Sequence, residues 1–366
     1  MKKLLTVLCS LCLAVFLFAL SACGGSGVDG TIKGDYKEAD AESFTAASAV
    51  LAEAKFAKDD ATAYGLSFNS DAEASFTFDG KTAKITENES LSLIIAENIT
   101  AAINAELTAK ADKGFINTVA LAAGAKEGEV PDLGKIDVSV KGDVYYSNGN
   151  IYVNGKIAGI SDIIEAVIEA EGEGEGAEAA QAREIVADME KGVKYVFPKE
   201  LVSMLIGNFK PEALNEISFE DISANIGGAL GMVSQADFET INTALGTYGL
   251  KLYIDNGKDG LKIKLATTAD AKTTLGALVT GLIGEEESIS DFAFKTLNLE
   301  IYVAFDADGV LTQVAFNADV NVTAKLFGKN AELKVNGAAN LSVAVPEIKL
   351  PSFDGYTNPM MPSIEA

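Results

Sequence analysis

The chain has 366 residues, with 53 acidic side chains against 29 basic ones and a formal net charge of −24. A surface this acidic repels nucleic acid and anionic headgroups and favours solubility. There is no histidine and no tryptophan, and arginine occurs once, at Arg183. The commonest general base, the commonest transition-metal ligand, a sugar-stacking indole and guanidinium clamps are thus missing or nearly so. The composition points away from an enzyme, and neither a cofactor nor a metal is expected.

In chain order, Met1-Lys2-Lys3 is a short positive start, followed by an apolar stretch from Leu4 to Leu20. That stretch is short and wrongly flanked for a membrane span, which matches a signal peptide. It ends in Leu20-Ser21-Ala22-Cys23. This run resembles the bacterial lipobox, and the resemblance implies that residues 1–22 are removed and that Cys23 carries a diacylglyceryl group. Two acyl chains suffice for stable attachment, so the expected location is extracytoplasmic, with the membrane held through Cys23. Cys9 and Cys12 would leave with the signal peptide, so no disulfide is expected. Gly24-Gly25-Ser26-Gly27 opens a flexible tether, expected over residues 23–37.

Residues 38–366 form one expected domain. Ala39 to Lys58, with Phe44, Val50, Leu51 and Phe56 among alanines, reads as a helix. From Tyr64 the period becomes two, through Leu66, Phe68, Phe76 and Phe78 to an Asp79-Gly80 turn. Leu91 to Leu107 fits both a strand face of odd-numbered residues and a four-residue helical spacing; flanking strand signals favour strand. Phe115, Asn117, Val119 and Leu121 continue the alternation. Ile136, Val138, Val140, Val144 and Tyr146 form a further face, and Asn148-Gly149 turns it into Ile151 and Val153, the strongest hairpin signal in the chain.

The period turns helical over about 157–248. Ser161 is placed to cap a helix whose Ile160, Ile163, Ile164, Val167 and Ile168 share one face. Glu171–Glu178 is a Gly-rich acidic loop, followed by helices through Ile185 and Met189 and from Leu201 to Ile206. Ser218 and Ser234 stand as caps for the last two, the final one striped by Phe238, Ile241 and Leu245. Between them Asn225–Val233 holds three glycines, which suit either close helix packing or an adjustable flap.

Strands return at Leu250, Leu252 and Ile254, paired across a turn with Leu261, Ile263 and Leu265; a helix bearing Leu275, Leu278, Val279 and Leu282 interrupts them. Three long strands close the pattern: Leu297 to Phe305, Val310 to Val322, and Leu333 to Val345. Unbroken, the middle one is about 44 Å long at ~3.4 Å per residue. Strands of that length must twist and coil. The expected fold is α+β: a long curved antiparallel sheet, a half-barrel-like meander, with one wet face, one buried face, and helices inserted over its concave side.

That architecture, together with the lipobox at Leu20–Cys23, resembles the LolA/LppX-type lipoprotein carriers. The resemblance covers roughly residues 60–350 and is architectural, so it transfers no binding residue. It implies acyl chains held between sheet and helices. Candidate residues for such an apolar cavity, taken from the helical faces of this chain, are Ile164, Ile168, Leu230, Phe238, Ile241 and Leu245. The expected partners are the membrane, through Cys23, and a lipid or other apolar ligand; no nucleic acid is expected. A structural or adhesive cell-envelope lipoprotein with a fully packed core fits the same sequence. Asp306-Ala307-Asp308-Gly309 resembles a calcium-loop fragment but lacks the later ligands, and a hairpin turn explains it.

Overall fold

The computed structural model describes residues 28–55, 62–96, 99–126, 134–171, 176–201, 237–283 and 288–359. Among these residues the fold is α+β, dominated by one open antiparallel sheet of twelve strands. The strands are β1 (Lys37–Glu38), β2 (Tyr64–Phe78), β3 (Lys81–Ile95), β4 (Ile99–Ala111), β5 (Ile136–Ser147) and β6 (Asn150–Ala158), then β7 (Val193–Phe197), β8 (Leu250–Gly257), β9 (Gly260–Thr267), β10 (Ile289–Phe305), β11 (Leu311–Leu326) and β12 (Lys329–Ser342). Six helices of eight or more residues accompany them: α1 (Ala41–Ala52), α2 (Phe115–Ala122), α3 (Ser161–Glu171), α4 (Ala177–Lys191), α5 (Phe238–Thr247) and α6 (Ala271–Ile283).

Two meanders make the sheet. Its order is β1-β8-β9-β10-β11-β12-β2-β3-β4-β5-β6-β7, so the last strand of the chain pairs with the first long one. β12 and β2 are joined in register from Ala331–Phe78 to Ser342–Ser67. Short turns set this order. Asn148 and Gly149 both take positive φ, at 52° and 82°, the geometry that a two-residue hairpin with right-handed twist needs.

The strand choice at 91–107 resolves into a hairpin, since β3 and β4 pair from Ile95–Ile99 onward. Several expectations are corrected. Phe115–Ala122 is helix, because Phe115, Val119 and Ala122 sit on one side of α2 and close a core with Phe78, Ala111 and Ala331. The helical block is interrupted by β7, whose Val193, Tyr195 and Phe197 pair with Gly155, Val153 and Ile151. Ser161 is the first residue of α3, and its N–H is met by the Glu190 carboxylate at 3.3 Å, which also accepts from Gly159 N–H at 3.1 Å. The α5 cap is Asp237, which accepts from Thr240 N–H at 3.1 Å; Ser218 and Ser234 lie outside the described residues. The single arginine pins α4 to α3, with Arg183 donating to both carboxylate oxygens of Glu165 at 2.6 and 2.8 Å.

One face of the sheet is apolar along most of its width. Strand pairing aligns Leu265, Ile301, Phe316, Ala339, Phe68, Leu91, Ile103, Val144, Val153 and Tyr195 on it, or on its immediate neighbours. A register shift beside Thr312 brings Leu311 onto this face with Val314, so Leu311, not Val310, joins the core cluster. The opposite face is polar but not simply wet. From residue 28 the expected tether lies as a strap across it: Ile32 is buried against Tyr302, Ala304 and Ala315, and Tyr36 meets Tyr302 edge-on at 5.8 Å. At Gly30 a Cβ would fall 2.3 Å from the Phe316 carbonyl oxygen, so only glycine lets the strap lie this close. Burial in this strap pushes the Tyr36 hydroxyl up to about 12, with the Asp255 charge adding to it. At the far end of the same face, Phe353 of the C-terminal tail stacks on Tyr152 at 3.6 Å.

Candidate functional site

The apolar face is covered unevenly. At the β8–β11 end, α1 and α5 lie on it, and Phe44, Ala47 and Leu51 pack with Ile254, Leu261, Phe305 and Leu311 into a closed core. Asp40 starts α1 with a capping box, its carboxylate accepting from Ser43 N–H while the Ser43 hydroxyl meets the Asp40 N–H. Where the β2–β3 and β11–β12 turns lie, α2 closes a second core around Phe78.

Between these covers, among the described residues, side chains on the same face of β3, β4 and β5 are left partly exposed. Leu107 lies directly opposite Val140 on one side and Glu87 on the other. Ile85, Ile103, Leu107 and Val140 are 40%, 36%, 37% and 37% exposed. Neighbouring positions carry little bulk: Ala72, Ala105, Gly142 and Gly155 share the adjoining rows, and a Cβ on Gly142 would meet nothing nearer than 4.0 Å. Apolar side chains of this size are left unusually accessible for the patterned face of a sheet.

Two carboxylates interrupt it. Glu87 and Glu89 point to the apolar face from β3, beside Ala72 and Ser70 of β2. Partial burial raises the Glu87 carboxyl above the usual carboxylate range, and the Glu89 charge pushes the same way.

The residues expected to line one cavity are divided. Phe238 and Ile241 pack on the closed core under α5, the Phe238 ring 5.5 Å from Phe44. Leu245, one turn on, is half-buried. Ile164 is half-buried and Ile168 buried in α3, which packs on α4 beside β6, toward the opposite edge of the sheet. Leu230, the Asn225–Val233 segment and Cys23 lie outside the described residues. Ile85 and the open setting of Ile103, Leu107 and Val140 were not singled out from sequence; the available signal was the acidic pair set into an otherwise apolar row.

At the Asp306–Gly309 turn the Asp306 carboxylate accepts from the N–H groups of Asp308 and Val310, both at 2.9 Å, so its oxygen is spent on the turn itself. Among the described residues no helix is long and apolar enough to cross a membrane. No protein-family model matches the sequence, and no curated protein or solved structure matches it.

Proposed function

We propose that the chain is an extracytoplasmic lipoprotein, held at the membrane by lipid on Cys23, that carries a lipid or another apolar ligand and catalyses no reaction. In this reading the sheet curves as a half-barrel, and the ligand lies on its concave, apolar face over β3–β5. The observation that carries the reading is the open row of Ile85, Ile103, Leu107 and Val140 between two helix-covered ends. Leaving such side chains in water forgoes about 25 cal/mol for each Å² not buried, a cost that a bound acyl chain removes.

The second reading, a structural or adhesive envelope lipoprotein, is favoured by the closed packing at the β8–β11 end. Native mass spectrometry separates the two. The carrier reading expects lipid to co-purify with the chain and to leave on delipidation. A single unliganded mass from every preparation contradicts it. Anchoring is tested apart from binding: Cys23→Ser should move the protein from the membrane fraction to the soluble one, and continued membrane retention would refute the lipid anchor.

A further inference from the structure

On the polar face, a cavity of about 650 Å³ opens at β5, β6 and β7. Three elements build it: strand side chains, the C-terminal end of α4 with Gly192, and the tail at Gly355 and Thr357. The tail is fixed in place. Thr357 N–H donates to the Lys194 carbonyl at 3.0 Å, and Val196 N–H donates to the Thr357 carbonyl at 2.9 Å.

Four lysines line this cavity, Lys141, Lys156, Lys191 and Lys194, in a chain whose net charge is −24. Lys141 stands directly opposite Lys156 across the β5–β6 pair, and Lys194 is opposite Asn154, two residues from Lys156. Like charges facing each other across strands are destabilising, so this placement asks for a counter-charge. The nearby carboxylates offset only part of this charge, and each is held by partners of its own. Asp143 accepts from Asn104 at 2.8 Å and from Asn154 at 2.9 Å, one amide on each oxygen. Asp188 is paired with Lys191 at 2.9 Å, and Glu106 with Lys141 at 3.1 Å, both in exposed and therefore weak pairs. Lys156 has no carboxylate partner among the described residues, and the Lys194 ammonium rests 5.8 Å from the centre of the Tyr356 ring. The carbonyl end of α4 disfavours an anion at its side of the cavity, which leaves the strand side.

We propose that this cavity binds a phosphate-bearing small anion, with Lys141, Lys156 and Lys194 supplying the ammonium groups. Ammonium side chains act on phosphate as point charges, and the volume is that of a small-molecule site, too large for a bare ion. The ligand comes either from solution, as a phosphomonoester, or as an anionic phospholipid headgroup. The site is on the opposite face from the apolar row and does not depend on it.

The test is calorimetric titration of the detergent-solubilised full chain at low salt. The probes are glycerol phosphate, dihexanoylphosphatidylglycerol and, for comparison, zwitterionic dihexanoylphosphatidylcholine. The proposal expects saturable binding of one of the first two, weakened at least tenfold by Lys156→Gln with Lys194→Gln. Lys156→Arg, which keeps the charge, should retain binding, as should Lys33→Gln with Lys349→Gln elsewhere on the surface. Glycerol phosphate binding identifies a soluble ligand; binding of the phosphatidylglycerol alone identifies a headgroup. Absence of saturable binding to both, equal binding of the phosphatidylcholine, or indifference to the lysine substitutions in a folded protein would overturn the proposal.

Discussion

The two halves of the apolar face carry the same alternating pattern and meet different fates. Toward β8–β11, Leu261 and Phe305 are almost entirely removed from water, because α1 and α5 bring Phe44, Leu51, Phe238 and Ile241 down on them. Across β3–β5, Ile103, Leu107 and Val140 occupy equivalent positions and remain more than a third exposed. Period-two patterning therefore specifies which side of a strand is apolar, while coverage is decided by segments from elsewhere in the chain.

The sharpest way to break this comparison is the same truncation on both halves. Leu261→Ala should cost about 2–5 kcal/mol, since it leaves a cavity in a closed core, whereas Leu107→Ala should cost about 1 kcal/mol or less. Urea denaturation of the two variants measures the difference, and equal losses would mean that the β3–β5 face is as closed as the other.

Enlargement gives the next contrast. Ile241→Trp should overpack the core under α5 and cost about 1–3 kcal/mol, while Ile103→Trp should change stability by no more than about 0.5 kcal/mol. Thermal melts that shift alike for both would again erase the distinction.

The smallest expected effect concerns Glu87. Its carboxyl is raised by burial and by Glu89, so ionising it costs more in the fold than in the unfolded chain. That cost is present above the folded pKa and gone once pH falls below the unfolded value, about 4.3. Glu87→Gln should therefore stabilise the protein at pH 7, by roughly 0.5 kcal/mol after allowance for its exposure, and make no difference at pH 3. A loss of stability at pH 7 would show that the carboxylate has a stabilising partner on this face.

Much of the fold was legible in the sequence because its signals are local. Asn148-Gly149 fixed one hairpin through backbone geometry, and the alternation in Leu297–Phe305 and Leu333–Leu341 gave β10 and β12 their phase. The failures were short apolar runs, where period two and period 3.6 look alike. Phe115–Ala122 alternates as a strand would, yet becomes a helix because Phe115 and Val119 are needed over the Phe78 core. β7 was lost inside a helical block because five residues carry little periodicity. The strap is not legible because its glycines also suit a tether, and its packing rests on contacts with the far side of the sheet, Ile32 against Ala304 and Ala315 and Tyr36 against Tyr302. For the candidate site, sequence found the apolar residues and could not find the opening. Phe238 and Ile241 looked like cavity walls and are core, while Leu107 looked like core and is open.

The most direct test of the account is a titration of the Cys23→Ser protein with a long-chain fluorescent lipid, compared with Leu107→Lys and Thr108→Lys in the same background. These neighbours point to opposite faces of β4, so only the first places a charge in the open apolar row. Saturable binding by the parent protein is expected, with a loss of at least tenfold in Leu107→Lys with little change in melting temperature, and binding close to the parent's in Thr108→Lys. Failure of the parent to bind saturably, or equal binding by the two lysine variants, would contradict it.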